Sequence, residues 1–323
     1  MLEPTNRRRF LQAGAGSVAL LGLSRSVAGA PEPLPTRELG RTGLKVPILG
    51  LGTAAVGQSR PVTMEQARAV IEECLAQGVT FLDSARGYDK AEDALGLTLG
   101  ARREKATITT KARGNTGAQA QRNFDDSLRR LKTDYVDILY WHEASGRDAQ
   151  QAVGPDGVLT WLSKQKAAGK ARFIGITGHM RAKTMVPLLE SGVPEVCMVP
   201  LNFVDHHQYH FEEIVLPVVR RLRIGLVAMK VFGGERGSNW ARYGGPNPGP
   251  QADEAQLGRC LRYALGLDGV ACAVVGMHTV EQVRVNVALA RAHQPLSAEE
   301  LAQLDKLGQE LVAAWGPRLG PVE

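Results

Sequence analysis

Three apolar segments of the chain end in side chains that carry charge or titrate. They end at Asp83, Lys111 and His142, and Tyr88 follows shortly after the first of them. A charged side chain at the end of a buried strand is costly unless it is paired, and Asp83 with Lys111 is the obvious pair. A carboxylate, an amine, an imidazole and a phenol together are suited to proton transfer in catalysis. A purely structural ion pair at the rim of the fold is the alternative for Asp83 and Lys111.

The segments that position these residues alternate with amphipathic helices. Eight apolar runs follow one another, and most of their ends lie about 30 residues apart, which is the size of one βα unit. The runs are Val46–Gly52, Thr80–Asp83, Ala106–Lys111, Val136–His142, Ala171–Thr177, Val196–Asn202, Ile224–Lys230 and Val270–Gly276. Strands that are apolar throughout predict an α/β fold, a (β/α)8 TIM barrel whose strand C-termini meet at one mouth. A doubly wound sheet is the rival, but Gly50-Leu51-Gly52 lacks the G-x-G-x-x-G spacing that it favours.

Capping patterns mark several of the helices. Thr63–Gln66 and Thr279–Gln282 each have the form of a capping box, in which a Thr precedes Gln by three positions, and a terminal helix is predicted to start at Ser297–Glu300. The last of these begins beyond the eighth unit, so the barrel is predicted to carry an extra C-terminal helix. The Gly/Pro-rich stretch Glu235–Gln251 is expected to form a long loop over the C-terminal face.

The amino-acid composition and the charge exclude some classes of protein. The chain is 44% hydrophobic and 22% charged, which is ordinary for a globular protein and excludes long disordered architectures. About half of the formal charge of +6 lies in the N-terminal segment, so the remainder is too weakly basic to indicate nucleic acid as a partner. The four cysteines lie apart among apolar neighbours, and we expect free, buried thiols.

The N-terminal segment is predicted to lie outside the fold. Arg7-Arg8-Arg9-Phe10-Leu11 precedes a short apolar stretch and small residues that end at Ala28 or Ala30. The arginine motif resembles a twin-arginine export signal. This resemblance implies a signal peptide over residues 1–30, with cleavage near Ala28 or Ala30, and one barrel over residues 31–323. It also implies the twin-arginine translocation machinery as a partner and a periplasmic or otherwise exported location. A basic amphipathic or disordered N-terminus is the alternative.

Over residues 37–295 the sequence resembles the aldo-keto reductase family. The segments that carry the resemblance are Arg37–Val46, Gly50–Thr53, Phe81–Tyr88, Glu92–Gly96, Ser127–His142 and Gly169–Gly175. The resemblance implies an oxidoreductase that reduces an aldehyde or ketone to an alcohol with a nicotinamide cofactor. It also implies a catalytic tetrad, which in this chain is Asp83, Tyr88, Lys111 and His142.

Physical chemistry gives each member of the implied tetrad a role. Tyr88 donates the proton that the developing alkoxide needs, and the cation of Lys111 is expected to lower the pKa of the phenol. Asp83 holds Lys111 in place. His142 polarises the substrate carbonyl and completes an oxyanion site with Tyr88.

The resemblance also implies which residues contact the cofactor. They are Thr53, Asp83, Thr177, Asn202, Lys230, Phe232, Gly234, Glu281, Gln282 and Asn286. NADPH is the cofactor that the family resemblance favours. NADH is also possible, because Gly276 and Gln282 occupy positions where NADP-specific relatives carry Lys and Arg. Met198 stands where relatives carry a Gln that holds the nicotinamide.

Two alternatives to this interpretation stay open. A catalytically weak or inert barrel could bind nucleotide as a sensor, and a Schiff-base aldolase could use Lys111. His206, His207 and His210 are interpreted as a polar loop, and no metal site is predicted. The sequence specifies neither the physiological carbonyl substrate nor the oligomeric state.

Overall fold

The computed structural model describes residues 32–59, 61–233 and 254–323. Eight parallel strands close into a barrel, in which each strand pairs with the next along the chain and the last pairs with the first. The barrel strands are β3 (Leu49–Gly52), β4 (Phe81–Asp83), β5 (Thr107–Ala112), β6 (Val136–Trp141), β7 (Ala171–Thr177), β8 (Val196–Pro200), β9 (Gly225–Met229) and β10 (Val270–Gly276). The predicted (β/α)8 fold is confirmed.

Helices cover the outside of the barrel. Those before β8 are α1 (Ala54–Gln58), α2 (Met64–Ala76), α3 (Ala91–Leu99), α4 (Gly117–Leu131), α5 (Ala149–Val153), α6 (Val158–Ala167) and α7 (Ala182–Glu190). Those after it are α8 (His206–Tyr209), α9 (Phe211–Ile214), α10 (Leu216–Arg221), α11 (Glu254–Gly266), α12 (Val280–Arg291) and α13 (Ala298–Trp315). The predicted extra C-terminal helix is α13. Short 3-10 helices lie at Gly40–Thr42 and Gly100–Lys105. Within the described ranges, no helix is long and apolar enough to cross a membrane.

The first predicted strand is in fact two strands. Residues Lys45–Pro47 form β2, which pairs antiparallel with β1 (Thr36–Glu38), and the barrel begins only at β3. The connection between β1 and β2 sends Leu39 into the apolar cluster inside the barrel, where it is fully buried. Gly40 makes this possible, because its φ is +51° and a Cβ there would lie 2.3 Å from the Gly225 nitrogen.

Two apolar clusters hold the barrel together. One fills its interior around Phe81, Ile138 and Tyr140, and a larger one lies between the strands and the helices. All four cysteines are buried free thiols, as expected. The predicted capping box at Thr63 is confirmed, and the C-terminal helix α13 also begins with a capping box, at Ser297.

The predicted capping box at Thr279 forms only in part. Thr279 accepts from the Gln282 backbone N–H, but the Gln282 side chain accepts from the His278 N–H instead of closing the box. Two other predictions lie outside the described residues. These are the signal peptide over residues 1–30 and the loop Glu235–Gln251.

Candidate active site

The C-terminal ends of β4, β5 and β6 bring the predicted tetrad together. Lys111 donates from Nζ to both oxygens of Asp83, at 2.7 and 2.6 Å, and to the Ser84 carbonyl at 2.8 Å. Thr109, two residues before Lys111 on the same face of β5, donates to Asp83 Oδ1 at 2.6 Å. The Asp83 carboxylate is therefore held from two sides.

This ion pair is almost closed to solvent. Lys111 is 2% exposed and Asp83 is 4% exposed. Burial acts to lower the pKa of Lys111, but the Asp83 carboxylate, together with the contact to Tyr88, outweighs it and the pKa is raised. Lys111 is therefore a fixed positive charge at the mouth of the barrel near neutral pH.

Tyr88 lies beside that charge. The Lys111 Nζ is 4.9 Å from the centroid of the phenol ring. Burial raises the pKa of Tyr88, and the Lys111 ammonium offsets the rise only in part. The expectation that Lys111 lowers the pKa of Tyr88 below its ordinary value is thus wrong, because desolvation of the phenolate is the larger effect. Tyr88 keeps its proton at neutral pH.

His142 follows β6 and faces Tyr88 edge-on, with the ring centroids 6.0 Å apart. Arg113 donates from Nε to His142 Nδ1 at 3.3 Å. Burial, with the positive charges of Lys111 and Arg113, holds the pKa of His142 well below its usual range. A neutral ring that accepts at Nδ1 carries its proton on Nε2. Arg113 was not among the predicted site residues.

A second histidine lies at the same mouth. His179 Nδ1 makes a very short contact with the carboxylate of Glu143, the residue that follows His142. The Glu143 backbone is left-handed, with φ of +59°, and its N–H donates to Thr177 Oγ1 at 3.1 Å. This pair was not predicted either. Its sequence signal is that each residue lies just beyond the end of one of two neighbouring parallel strands.

Two of the predicted cofactor residues are threonines whose hydroxyl groups make hydrogen bonds between neighbouring strand ends. Thr53 is buried and donates to the Asp83 carbonyl at 2.9 Å, while Thr177 is buried and accepts the Glu143 N–H. Asp83, which was also predicted to contact the cofactor, accepts hydrogen bonds from Lys111 at both carboxylate oxygens.

Asn202 has its amide fully engaged within the protein. Its Nδ2 donates to Asp205 Oδ2 at 2.6 Å and to the Lys230 carbonyl at 3.1 Å. Its Oδ1 accepts from the N–H groups of Val204 and Asp205. Asn202 therefore shapes the loop after β8, and a cofactor contact would have to replace one of these bonds.

Lys230 and Phe232 follow β9. Burial and the nearby Arg318 lower the pKa of Lys230 to about 8, against the pull of Asp205 and Glu143. Phe232 is partly buried against the outer core. The next predicted cofactor residue, Gly234, lies outside the described residues.

The remaining predicted cofactor residues lie on α12. Glu281 is exposed in the first turn, and the Gln282 side chain accepts the His278 N–H at 2.6 Å. Asn286 is 4% exposed, and its Oδ1 is buried with no hydrogen-bond partner among the described residues. Such an orphaned acceptor fits a ligand that offers an amino group. Arg284 is held by Glu73 at 3.0 Å, on the neighbouring helix α2.

The prediction that His206, His207 and His210 lie in a polar loop is wrong in part, because His206 and His207 belong to the short helix α8. The three histidines lie near carboxylates. His206 Nδ1 lies 3.3 Å from Glu212, and His210 Nδ1 lies 3.9 Å from Glu213. The ligand atoms of His206, His207 and Asp305 lie within 4.8 Å of one another, whereas His210 does not belong to this group.

Known proteins are similar to this chain in sequence and in fold. The model of the aldo/keto reductase family matches residues 48–258. The chain is 28% identical to L-galactose dehydrogenase of Arabidopsis thaliana, over 82% of this chain and 90% of that protein. It is 27% identical to pyridoxal 4-dehydrogenase of Microbacterium luteolum, over 78% of this chain and 91% of that protein.

Solved structures of aldo-keto reductases have a similar fold. An aldo-keto reductase from Bacillus halodurans in its holo form has a TM-score of 0.68 and 24% identity, over 85% of this chain and 96% of that one. An aldo/keto reductase from Klebsiella pneumoniae in complex with NADP and acetate has a TM-score of 0.67 and 23% identity, over 85% and 95%. With the family model matching more than half of its length, the chain belongs to the aldo/keto reductase family of oxidoreductases.

Proposed function

We propose that this protein is an exported carbonyl reductase in which Tyr88 gives the proton that turns a bound aldehyde or ketone into an alcohol. The observation that carries the proposal is the buried Lys111–Asp83 pair, whose ammonium lies 4.9 Å from the Tyr88 ring. Family membership supports nicotinamide-dependent reduction, and the arrangement of the tetrad supports the assignment of the proton donor.

Tyr88, Lys111 and His142 each have a different role around the carbonyl oxygen of the substrate. Tyr88, with its raised pKa, enters the reaction protonated and can release its proton to an alkoxide. Lys111 stabilises the phenolate that is left, because its charge is fixed by Asp83. His142 donates from Nε2 to the carbonyl oxygen and so polarises it without carrying a net charge.

A reduced nicotinamide supplies the hydride, which no side chain can provide. The residues present fit such a cofactor, because Asn286 offers a buried acceptor without a partner on α12. Thr53, Thr177 and Lys230 lie at the C-terminal ends of β3, β7 and β9, at the same mouth of the barrel as the tetrad. The Klebsiella relatives solved with NADP and NADPH support NADPH as the cofactor, with NADH as a second possibility.

Export is supported by the N-terminal motif Arg7-Arg8-Arg9-Phe10-Leu11. The twin-arginine machinery carries folded proteins, so the barrel could acquire its cofactor before it leaves the cytoplasm. The partners of this protein are thus the translocation machinery and a small carbonyl compound.

The proposal is tested with the purified protein in two steps. Titration with NADPH and with NADH, followed by fluorescence, should show saturable binding. Addition of a reactive aldehyde should then consume the reduced cofactor, and Tyr88→Phe should bind cofactor without consuming it. Binding without turnover in the natural sequence would favour the nucleotide-sensor alternative instead.

A further inference from the structure

Two neighbouring histidines outside the barrel face a carboxylate from a distant part of the chain. One ligand atom from each of His206, His207 and Asp305 lies within 4.8 Å of the other two. The two histidines begin α8, whereas Asp305 lies in the middle of α13. Only the fold brings these groups together, because 98 residues separate His207 from Asp305.

Close packing between α13 and α8 holds Asp305 beside these rings. Gly308, one turn further along α13, is packed so tightly that a Cβ there would lie 2.2 Å from the Phe203 carbonyl oxygen and 2.8 Å from His207 Cδ2. His207 Nε2 lies 3.1 Å from the Asp305 carbonyl oxygen and 3.4 Å from Asp305 Oδ1. The rings of His206 and His207 meet edge to face, with their centroids 4.9 Å apart. The nitrogen and oxygen atoms are therefore already gathered by the packing of the two helices.

Two further carboxylates lie beside His206. Its Nδ1 is 3.3 Å from Glu212 Oε2 and 3.4 Å from Glu213 Oε1. This nitrogen is buried, and none of its contacts with the described residues has the geometry of a hydrogen bond. Tyr263 donates to both oxygens of Glu212, at 2.9 and 3.1 Å, and so orients that carboxylate. Carboxylates that stand next to ligating histidines are typical of metal sites, where they orient the ring and raise its basicity.

We propose that His206, His207 and Asp305 bind a Zn²⁺ ion that joins α13 to α8. Imidazole nitrogens and a carboxylate oxygen are ligands that zinc accepts, and three of them leave the fourth position to water. Bonds of about 2.1 Å to zinc place the corners of a tetrahedron about 3.4 Å apart. The 3.4 Å between His207 Nε2 and Asp305 Oδ1 matches this spacing. The proposal does not depend on carbonyl reduction, because these residues are separate from the tetrad.

A metal ion here would strengthen the attachment of the C-terminal segment. Asp205, directly before α8, is buried and pairs with Arg318 at 2.6 Å, three residues after the end of α13. Tyr209, at the end of α8, accepts from the Leu319 N–H at 2.9 Å. The metal adds a link between the same two parts of the chain. Because a ligand that binds only the folded state stabilises it, zinc should raise the free energy of unfolding.

The experiment titrates the full chain, without a polyhistidine tag, with Zn²⁺ in a calorimeter. The wild-type protein should bind about one ion per chain, and zinc should raise its urea midpoint. Asp305→Ala, at a side chain that is 52% exposed, and His207→Ala each remove one ligand. Each should weaken binding at least about tenfold, since even the loss of a partner behind a metal ligand costs about 10- to 100-fold in affinity. His210→Ala is the matched control, because His210 lies outside the group, and it should leave the affinity unchanged.

Several results would overturn the inference. The absence of saturable zinc binding by the wild-type protein would do so without any variant. Unchanged affinity in Asp305→Ala and His207→Ala would show that zinc binds elsewhere on the chain. Displacement of zinc by an equal concentration of Mg²⁺, which prefers oxygen ligands, would show that carboxylates alone hold the ion. Binding without a rise in the urea midpoint would show that the metal does not join the two helices of the folded chain.

Discussion

Replacing Asp83 with Asn tests whether Lys111 depends on its buried partner. The change keeps the size of the side chain and removes the negative charge from a pair that is 2% and 4% exposed. Lys111 would then keep two neutral acceptors, the Ser84 carbonyl and the new amide oxygen, and would have no negative charge beside it. Removing one partner of a buried pair destabilises a protein by about 3–5 kcal/mol, because the other charge is left uncompensated.

The stability of the wild-type protein and that of Asp83→Asn should change with pH in opposite directions. In the wild-type protein the pKa of Lys111 is raised, so its contribution to stability is present below the unfolded pKa and is lost as pH rises through the folded value. In Asp83→Asn, burial is no longer offset and the pKa of Lys111 falls below that of the unfolded chain. The variant should therefore regain part of its lost stability as pH rises from 7 towards 10.

Urea unfolding at several pH values measures both effects. Asp268→Asn is the matched control, because Asp268 pairs with Arg220 but is 84% exposed at its side chain. Such a surface pair contributes at most about 1 kcal/mol. A loss below about 1 kcal/mol for Asp83→Asn at pH 7, with no recovery at high pH, would refute the view of Lys111 as a charge that depends on Asp83.

Four further predictions concern other parts of the chain. Changing Arg7 and Arg8 to Lys keeps the charge but removes the guanidinium groups, and fractionation should find the protein retained inside the cell; undiminished export would reject the signal. Because a carboxylate on α2 holds Arg284, discrimination for NADPH over NADH should stay below about a thousandfold in kcat/KM, and a larger ratio would show that another cation binds the 2′-phosphate. Because burial raises the pKa of Tyr88, the rate of carbonyl reduction should not fall through loss of its proton up to about pH 9, and a fall near neutrality would contradict this. Gly40→Ala should lower the urea midpoint, because the left-handed turn and the nearby backbone exclude a Cβ; an unchanged midpoint would show that the turn can relax.

The strand ends were predictable from sequence because the strands of a parallel barrel are apolar on both faces. Their runs stand out from the amphipathic helices, and the predicted run Ala171–Thr177 matches β7 in full. The split of Val46–Gly52 into β2 and β3 was not predictable in this way. Leu39 and Val46 are as buried as barrel residues, so hydrophobicity alone does not distinguish the hairpin from the barrel.

The tetrad was predictable because Asp83, Lys111 and His142 lie at the ends of successive strands, with Tyr88 in the loop after the first of them, but its electrostatics were not. Sequence reasoning gave Lys111 the larger effect on Tyr88, whereas the extent of burial, which only the fold reveals, decides the direction of the pKa. Arg113 and the pair Glu143–His179 were missed for a related reason. Each acts through a contact between neighbouring strand ends, and the orientation of a side chain beyond a strand is set by its loop.

The most direct test of the central assignment is the double-variant comparison of Tyr88→Phe and Lys111→Met in the reduction of a reactive aldehyde. Loss of a general acid lowers the rate by about 10²- to 10⁴-fold, and Lys111→Met should cause a similar loss by removing the charge that stabilises the phenolate. Because the two residues form one proton-donating unit, the double variant should be about as slow as the slower single variant. Full turnover by Tyr88→Phe, or losses that multiply in the double variant, would contradict the account.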